Sequence, residues 1–210
     1  MFFMSLSILS GLTVFAQPNS PSYLKIFPFF LLLTLINELI AGYLINQGEY
    51  TTELYNFYNI VHFGFYIFLL SKILKSPYVQ KIVLYILIGY LFFSIANLLF
   101  FQTIHTYNSI TYALGCLLVV SFCIYYFFEL FRQKYIVRLT REPSFWIVTG
   151  LLFYFTCSFP LLASINFMAK VPEIIINNLQ TLIQLMNILL YSLYTVAFLC
   201  RIKIPKYTLS

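Results

Sequence analysis

The chain reads as a succession of apolar runs, each close to the thickness of a bilayer, joined by short polar turns. A helix needs about 20 apolar residues, rising about 1.5 Å each, to cross the hydrocarbon layer. Seven runs meet or approach that length: 1–16, 23–45, 54–74, 82–101, 109–131, 144–166 and 174–200. The connections between them are too short to house another domain. The composition leaves no soluble alternative. Of the 210 residues, 61% are hydrophobic and only 9% charged, and the mean hydropathy is +0.90. A water-soluble domain draws roughly a quarter of its residues from Asp, Glu, Lys and Arg. The pattern predicts an all-α membrane protein, a single compact bundle of seven transmembrane helices occupying 1–210.

The few charges predict how the bundle sits. Lys25, Lys72, Lys75, Lys81, Arg132, Lys134, Arg138, Arg141, Arg201, Lys203 and Lys206 fall on one side, eleven of the twelve basic residues. Lys170 is alone on the other, with Glu49, Glu53 and Glu173. Cytoplasmic loops hold the excess of Lys and Arg, so the amino terminus is expected outside and the carboxyl terminus inside. Val14-Phe15-Ala16 has the look of a signal-peptidase site, but no basic residue precedes the apolar run. Cleavage there would also turn the basic loops outward. The first run is therefore expected to stay, as a short first span. Pro143-Ser144 opens the sixth helix, with Ser144 as its expected N-cap; Pro160 predicts a kink within it.

Polar groups inside such spans are costly and mark function or interhelical bonding. Glu38 lies seven residues, about 10 Å, below the outer end of the second run and is the one acid well inside a span. Tyr55, Asn59, His62 and Tyr66 share one face of the third helix. His62 lies at a depth close to that of Glu38, so a Glu38–His62 pair is geometrically feasible. Asn177, Gln180, Gln184, Asn187, Tyr191, Tyr194 and Thr195 share one arc of the seventh. Amides offer both donor and acceptor, which suits a hydrated cavity, although a dry interhelical ladder uses the same residues. With Asn97, and with His105, Tyr107 and Asn108 in the following loop, the polar residues gather toward the outer side. Glu129, near the opposite surface, is expected to pair with Arg132 or Lys134. The candidate ligand-binding set is Glu38, Asn59, His62, Gln180, Gln184, Asn187 and Tyr191.

Several chemistries lack their residues. All eight Lys lie in loops or at span ends, so there is no Schiff-base lysine for retinal. Two His and no Asp are too few for a seven-helix zinc hydrolase. There is no G-x-S-x-G. The four Cys form no C-x-x-C. No catalytic set, metal or cofactor is expected, and the basic balance is explained by topology and anionic lipid, not nucleic acid.

Leu54-Tyr55-Asn56-Phe57-Tyr58-Asn59, Arg141-Glu142-Pro143-Ser144-Phe145-Trp146 and Asn187-Ile188-Leu189-Leu190-Tyr191 together resemble small seven-helix membrane proteins of Bacteroidota-type bacteria. The resemblance implies the helix count and a membrane address, with no activity, cofactor or substrate attached. It also implies that relatives often carry Glu at the position of His62. With the charge distribution, it places the chain in the bacterial inner (cytoplasmic) membrane as a multi-pass protein.

Three functions are consistent with these features. The first is receptor-like or sensory binding of a small polar or amphipathic ligand from the outer side, with the Arg132–Arg141 loop meeting a cytoplasmic protein. The second is an enzyme acting on a lipid or isoprenoid, with Glu38 and His62 as acid and base. The third is a pore-forming or accessory protein in stress or phage defence, in which an oligomer lines a pore with the seventh-helix amides.

Overall fold

The computed structural model describes residues 2–17, 20–132, 139–163 and 173–201; within these, the side chains of 162, 163, 173–177, 179 and 180 are not described. Among the described residues the protein is all-helical. The helices are α1 (Phe2–Leu12), α2 (Ser22–Asn46), α3 (Thr52–Ile73), α4 (Pro77–Phe100), α5 (Ser109–Phe131), α6 (Pro143–Ala163) and α7 (Glu173–Leu199), with 3-10 turns at Thr13–Ala16 and Leu139–Arg141. Five helices, α2, α4, α5, α6 and α7, have windows long and apolar enough to cross a membrane. Their outward sides carry exposed Phe29, Leu32 and Ile36 on α2, and Ile88, Phe92 and Leu99 on α4. In water such faces would be an extensive apolar surface, which soluble monomers avoid. The protein is a helical, multi-pass membrane protein.

Two expected spans differ in kind from these five. The run at 1–16 forms an 11-residue helix continued by one 3-10 turn, which rises only about 25 Å in all. The third has the length, but Asn56, Asn59 and His62 along it lower its apolarity, and its inner side is buried from Asn56 to Ile73.

Boundaries also move. The fourth helix begins at Pro77, five residues before the expected start, because proline at the first helical position loses no bond. Glu129 of α5 explains the rest. Instead of pairing with Arg132, its carboxylate accepts the backbone N–H of Lys75 at 2.9 Å and of Ser76 at 3.1 Å, just ahead of α4. A carboxylate is favoured at that helix end. Arg132 lies over the Phe128 ring, 4.1 Å from its centroid; Lys134 lies outside the described residues, as does most of the Arg132–Arg141 loop. Ser144 is not the cap of α6. It falls in the first turn behind Pro143, and its Oγ accepts from the Tyr126 hydroxyl at 3.1 Å. The sixth helix runs through Pro160 to Ala163. The second ends on Gly48, whose φ of +76° lets Glu49 N–H reach back to Leu44 C=O at 3.0 Å, a glycine-closed helix end.

The helices close into a ring in the order α1, α2, α3, α5, α6, α7 and back to α1, with α4 outside against α3 and α5. The closest approaches depend on missing side chains. A Cβ on Gly115 of α5 would stand 2.5 Å from the Phe63 ring of α3, and one on Gly11 of α1 would stand 2.8 Å from Pro28 of α2. Between these contacts lies an aromatic core that includes Phe63. Phe30 and Phe65 stack at 3.8 Å between centroids, and Tyr66, Phe63 and Phe155 pack edge-on or tilted around them. Replacing Gly115 with Val should push the Phe63 ring aside and lower stability by about 1–3 kcal/mol. A thermal unfolding midpoint in detergent that matches the wild type would refute this account of the α3–α5 contact.

Candidate functional site

The helix ends opposite the basic loops frame a cavity of about 860 Å³. Its walls come from the start of α1 (Phe2, Phe3, Met4), the second half of α2 (Thr34, Glu38), the first half of α3 (Tyr55, Tyr58, Asn59, His62) and α7 (Gln184, Asn187, Tyr191). Thr51 and Thr52 at the start of α3, Tyr107 from the α4–α5 loop, Tyr112 of α5, Tyr154 of α6, and Ile183 and Ile188 of α7 complete them. The volume falls in the range of small-molecule sites. Six of the seven residues in the predicted set, Glu38, Asn59, His62, Gln184, Asn187 and Tyr191, meet there. The side chain of Gln180 lies outside the described residues, as does that of Asn177.

The helical periods explain why these residues meet. Asn59, His62 and Tyr55, three and four apart, fall on one side of α3; Gln184, Asn187 and Tyr191 do the same on α7. Farther along the same faces, Tyr66 and Tyr194 leave the cavity and enter the floor. Tyr194 donates its hydroxyl to Tyr66 at 3.1 Å, and both are almost wholly buried. The polar stripes of α3 and α7 therefore end in a tyrosine pair, with rings filling the space beneath.

Glu38 and His62 do not pair. Glu38 is half-buried and accepts one long hydrogen bond, from the Tyr55 hydroxyl at 3.5 Å. His62 sits in a ring of aromatic groups, 4.7 Å from Tyr66, 5.2 Å from Tyr58 and 5.9 Å from both Phe30 and Phe155 between centroids. Its Nδ1 is buried without a hydrogen-bond partner. The two are not at one depth: α2 and α3 match Glu38 with Tyr55, Thr34 with Tyr58 and Phe30 with His62, so His62 lies about two turns deeper than Glu38.

Part of the remaining wall polarity is spent internally. Tyr58 donates to Thr34 Oγ1 at 2.8 Å, and Thr34 donates to Phe30 C=O at 3.0 Å. Tyr112 donates to Ser158 at 3.1 Å. Asn59 Nδ2 donates to the Tyr107 hydroxyl at 3.3 Å, and burial pushes that hydroxyl's pKa well up. No group of three or more His, Cys, Asp or Glu able to hold a metal occurs among the described residues.

Asn97 and Asn108, expected near the outer polar cluster, belong to a different structure. Asn97 Nδ2 donates to Gln102, Asn108 and Thr111, and none of these residues lines the cavity. They tie the α4–α5 loop shut. Asn56, absent from the predicted set, is the anchor. Its Nδ2 donates to Ile104 C=O at 2.9 Å and Thr106 C=O at 2.8 Å, and its Oδ1 accepts Asn108 N–H at 2.9 Å. It is fully buried. Its place three residues before Asn59, on the same side of α3, was the available signal. His105 in this loop meets Glu53 at 2.8 Å on an exposed surface. The anchored loop is what holds Tyr107 in the cavity wall.

No protein-family model, curated protein or solved structure matches this chain.

Replacing Asn56 with Ala should strand two carbonyls and one N–H, at a cost of about 1–3 kcal/mol. Deuterium uptake across residues 103–109 should rise severalfold while uptake in α5 beyond residue 115 stays level. Unchanged uptake in the loop would remove Asn56 from this role.

Proposed function

We propose that the protein is a receptor-like, multi-pass protein of the bacterial inner membrane, with seven membrane-embedded helices in one domain, that binds a small polar or amphipathic ligand in this cavity. The observation that carries the reading is the cavity itself: polar side chains from α2, α3 and α7, distant in sequence, converge on one space of small-molecule size. Such convergence of a few polar groups in a largely apolar hollow is the usual form of a ligand site. The acid/base enzyme reading draws less support, since it needs Glu38 and His62 in contact and Glu38 is bonded to Tyr55.

The orientation follows the charges. Lys72, Lys75, Arg132, Arg141 and Arg201 fall at the end away from the cavity, where Arg201 also meets Glu142 at 3.4 Å. With that end cytoplasmic, the amino terminus and the cavity are outside. The Arg132–Arg141 loop then offers a basic surface to a cytoplasmic protein. A carboxyl-terminal fusion to alkaline phosphatase should be inactive and one to green fluorescent protein bright; the reverse result would invert the topology and turn the cavity inward.

Binding is tested by calorimetry on the protein in phosphatidylcholine nanodiscs, with empty discs subtracted, using benzylammonium, benzyl alcohol and benzoate. At least one should bind saturably, with a Kd on the order of 0.1–1 mM for fragments of this size. Asn187→Trp, which places a large ring in the cavity, should weaken that binding at least tenfold. Failure of all three to saturate would end this reading.

A further inference from the structure

We propose that the ligand's head is a small organic ammonium ion, with Glu38 as its counter-ion and tyrosine rings as its walls. The inference rests on the reading of the cavity as a binding site, and four features of the walls support it.

The first is charge. Among the described residues, Glu38 is the one carboxylate that lines the cavity, and no Lys or Arg does so. The Tyr55 hydroxyl gives it a hydrogen bond but no positive charge, and the charge that acts on it within the chain is that of the amino terminus. A carboxylate withdrawn from water is costly unless a cation compensates it. A cationic ligand in the cavity adds to that compensation, whereas an anion adds repulsion.

The second is the wall chemistry. Tyr55, Tyr58, Tyr107, Tyr112, Tyr154 and Tyr191 all line the space. The faces of such rings attract cations, more strongly where water is thinned out.

The third is an accounting of protons. Tyr55, Tyr58 and Tyr112 donate their hydroxyl protons to Glu38, Thr34 and Ser158. The lone pairs of those oxygens stay available, so this part of the wall accepts and does not donate. His62 adds a buried Nδ1 with no partner, which in the neutral ring can accept an N–H. On this side of the cavity the acceptors match a donor-rich ligand, and an alkylammonium carries up to three donors; the Gln184 and Asn187 amides across from it offer both donor and acceptor.

The fourth is size. A space of about 860 Å³ far exceeds a dehydrated metal ion, whose site would need several oxygens converging at about 2–2.6 Å. One carboxylate and scattered tyrosines do not form such a cage. The volume instead fits an ammonium head carrying an apolar body, for which Phe2, Phe3, Met4, Ile183 and Ile188 supply contacts.

The same nanodisc calorimetry distinguishes this proposal from the reading beneath it. Benzylammonium should bind at least tenfold more tightly than benzyl alcohol, and benzoate should show no saturable binding. In Glu38→Gln the affinity of benzylammonium should fall to within about twofold of that of benzyl alcohol, and in Glu38→Asp the preference for the cation should remain. Equal binding of benzylammonium and benzyl alcohol in the native protein, or tighter binding of benzoate, would overturn the ammonium assignment and leave the binding cavity standing. So would a cation preference that survives Glu38→Gln. Absence of saturable binding by all three would overturn both. Should Glu38→Gln unfold, shown by loss of its thermal transition, Glu38→Asp decides: loss of the cation preference there overturns the assignment.

Discussion

A helix that carries Asn56, Asn59 and His62 on one side cannot turn that side to acyl chains without leaving several hydrogen-bonding groups unsatisfied in hydrocarbon. That cost keeps the polar side of α3 turned inward in the ring, with α2, α4 and α5 packed against the helix. Only a narrow strip containing Phe57 and Val61 stays exposed. Once α3 is enclosed, the positions of its neighbours follow. Gly115 lets α5 close onto Phe63, and α4 is displaced to the outside. The second half of α2 then leans over the first half of α3, bringing Thr34 to Tyr58 and Glu38 to Tyr55.

The same helix also controls the loop that lines the cavity. A loop at the end of a membrane bundle is exposed to water and has little packing of its own, so its conformation needs an anchor. Asn56 provides one by pairing with three backbone groups of the loop, and Asn97 gathers Gln102, Asn108 and Thr111 beside it. Two asparagines from different helices thus fix a short connection so that Tyr107 stands against Asn59. The anchor and the cavity share α3, so the wall is held by a buried side chain and not by the loop's own rigidity.

The sequence made the membrane class and most of the candidate site legible for one reason. In an apolar chain every polar residue inside a span is a signal, and helical periodicity sorts those signals into faces. Glu38, Asn59, His62, Gln184, Asn187 and Tyr191 were all reached that way. Pairings between helices were not legible, because face and approximate depth fix neither the register nor the rotation of one helix against another. That is why Glu38 is found with Tyr55 instead of His62, and why Asn97 serves the loop and not the cavity. The partner of Glu129 was hidden for a related reason. Its acceptors' targets are backbone N–H groups at the start of α4, which no side-chain pattern announces. Ser144 shows how local rules lose to packing, since a serine well suited to cap α6 is drawn to the Tyr126 hydroxyl.

The floor of the cavity bears on which function such a fold can serve. A conducting path needs polar groups or open space along the whole length of the protein. Here the stripes on α3 and α7 stop at the Tyr66–Tyr194 hydroxyl pair. Beyond it Phe27 meets Tyr194 at 4.7 Å and Phe198 at 5.6 Å between centroids, all fully buried. Within one chain, these rings separate the cavity from the basic end. A hollow that is polar at one end and closed at the other can take up a solute without passing it on. Any signal would then have to travel through the helices around the floor. The Tyr66–Tyr194 contact joins α3 to α7, and both helices also present side chains to the cavity, so a ligand that shifts either one loads that contact directly. Within one chain, this arrangement fits the proposed binding role better than it fits conduction.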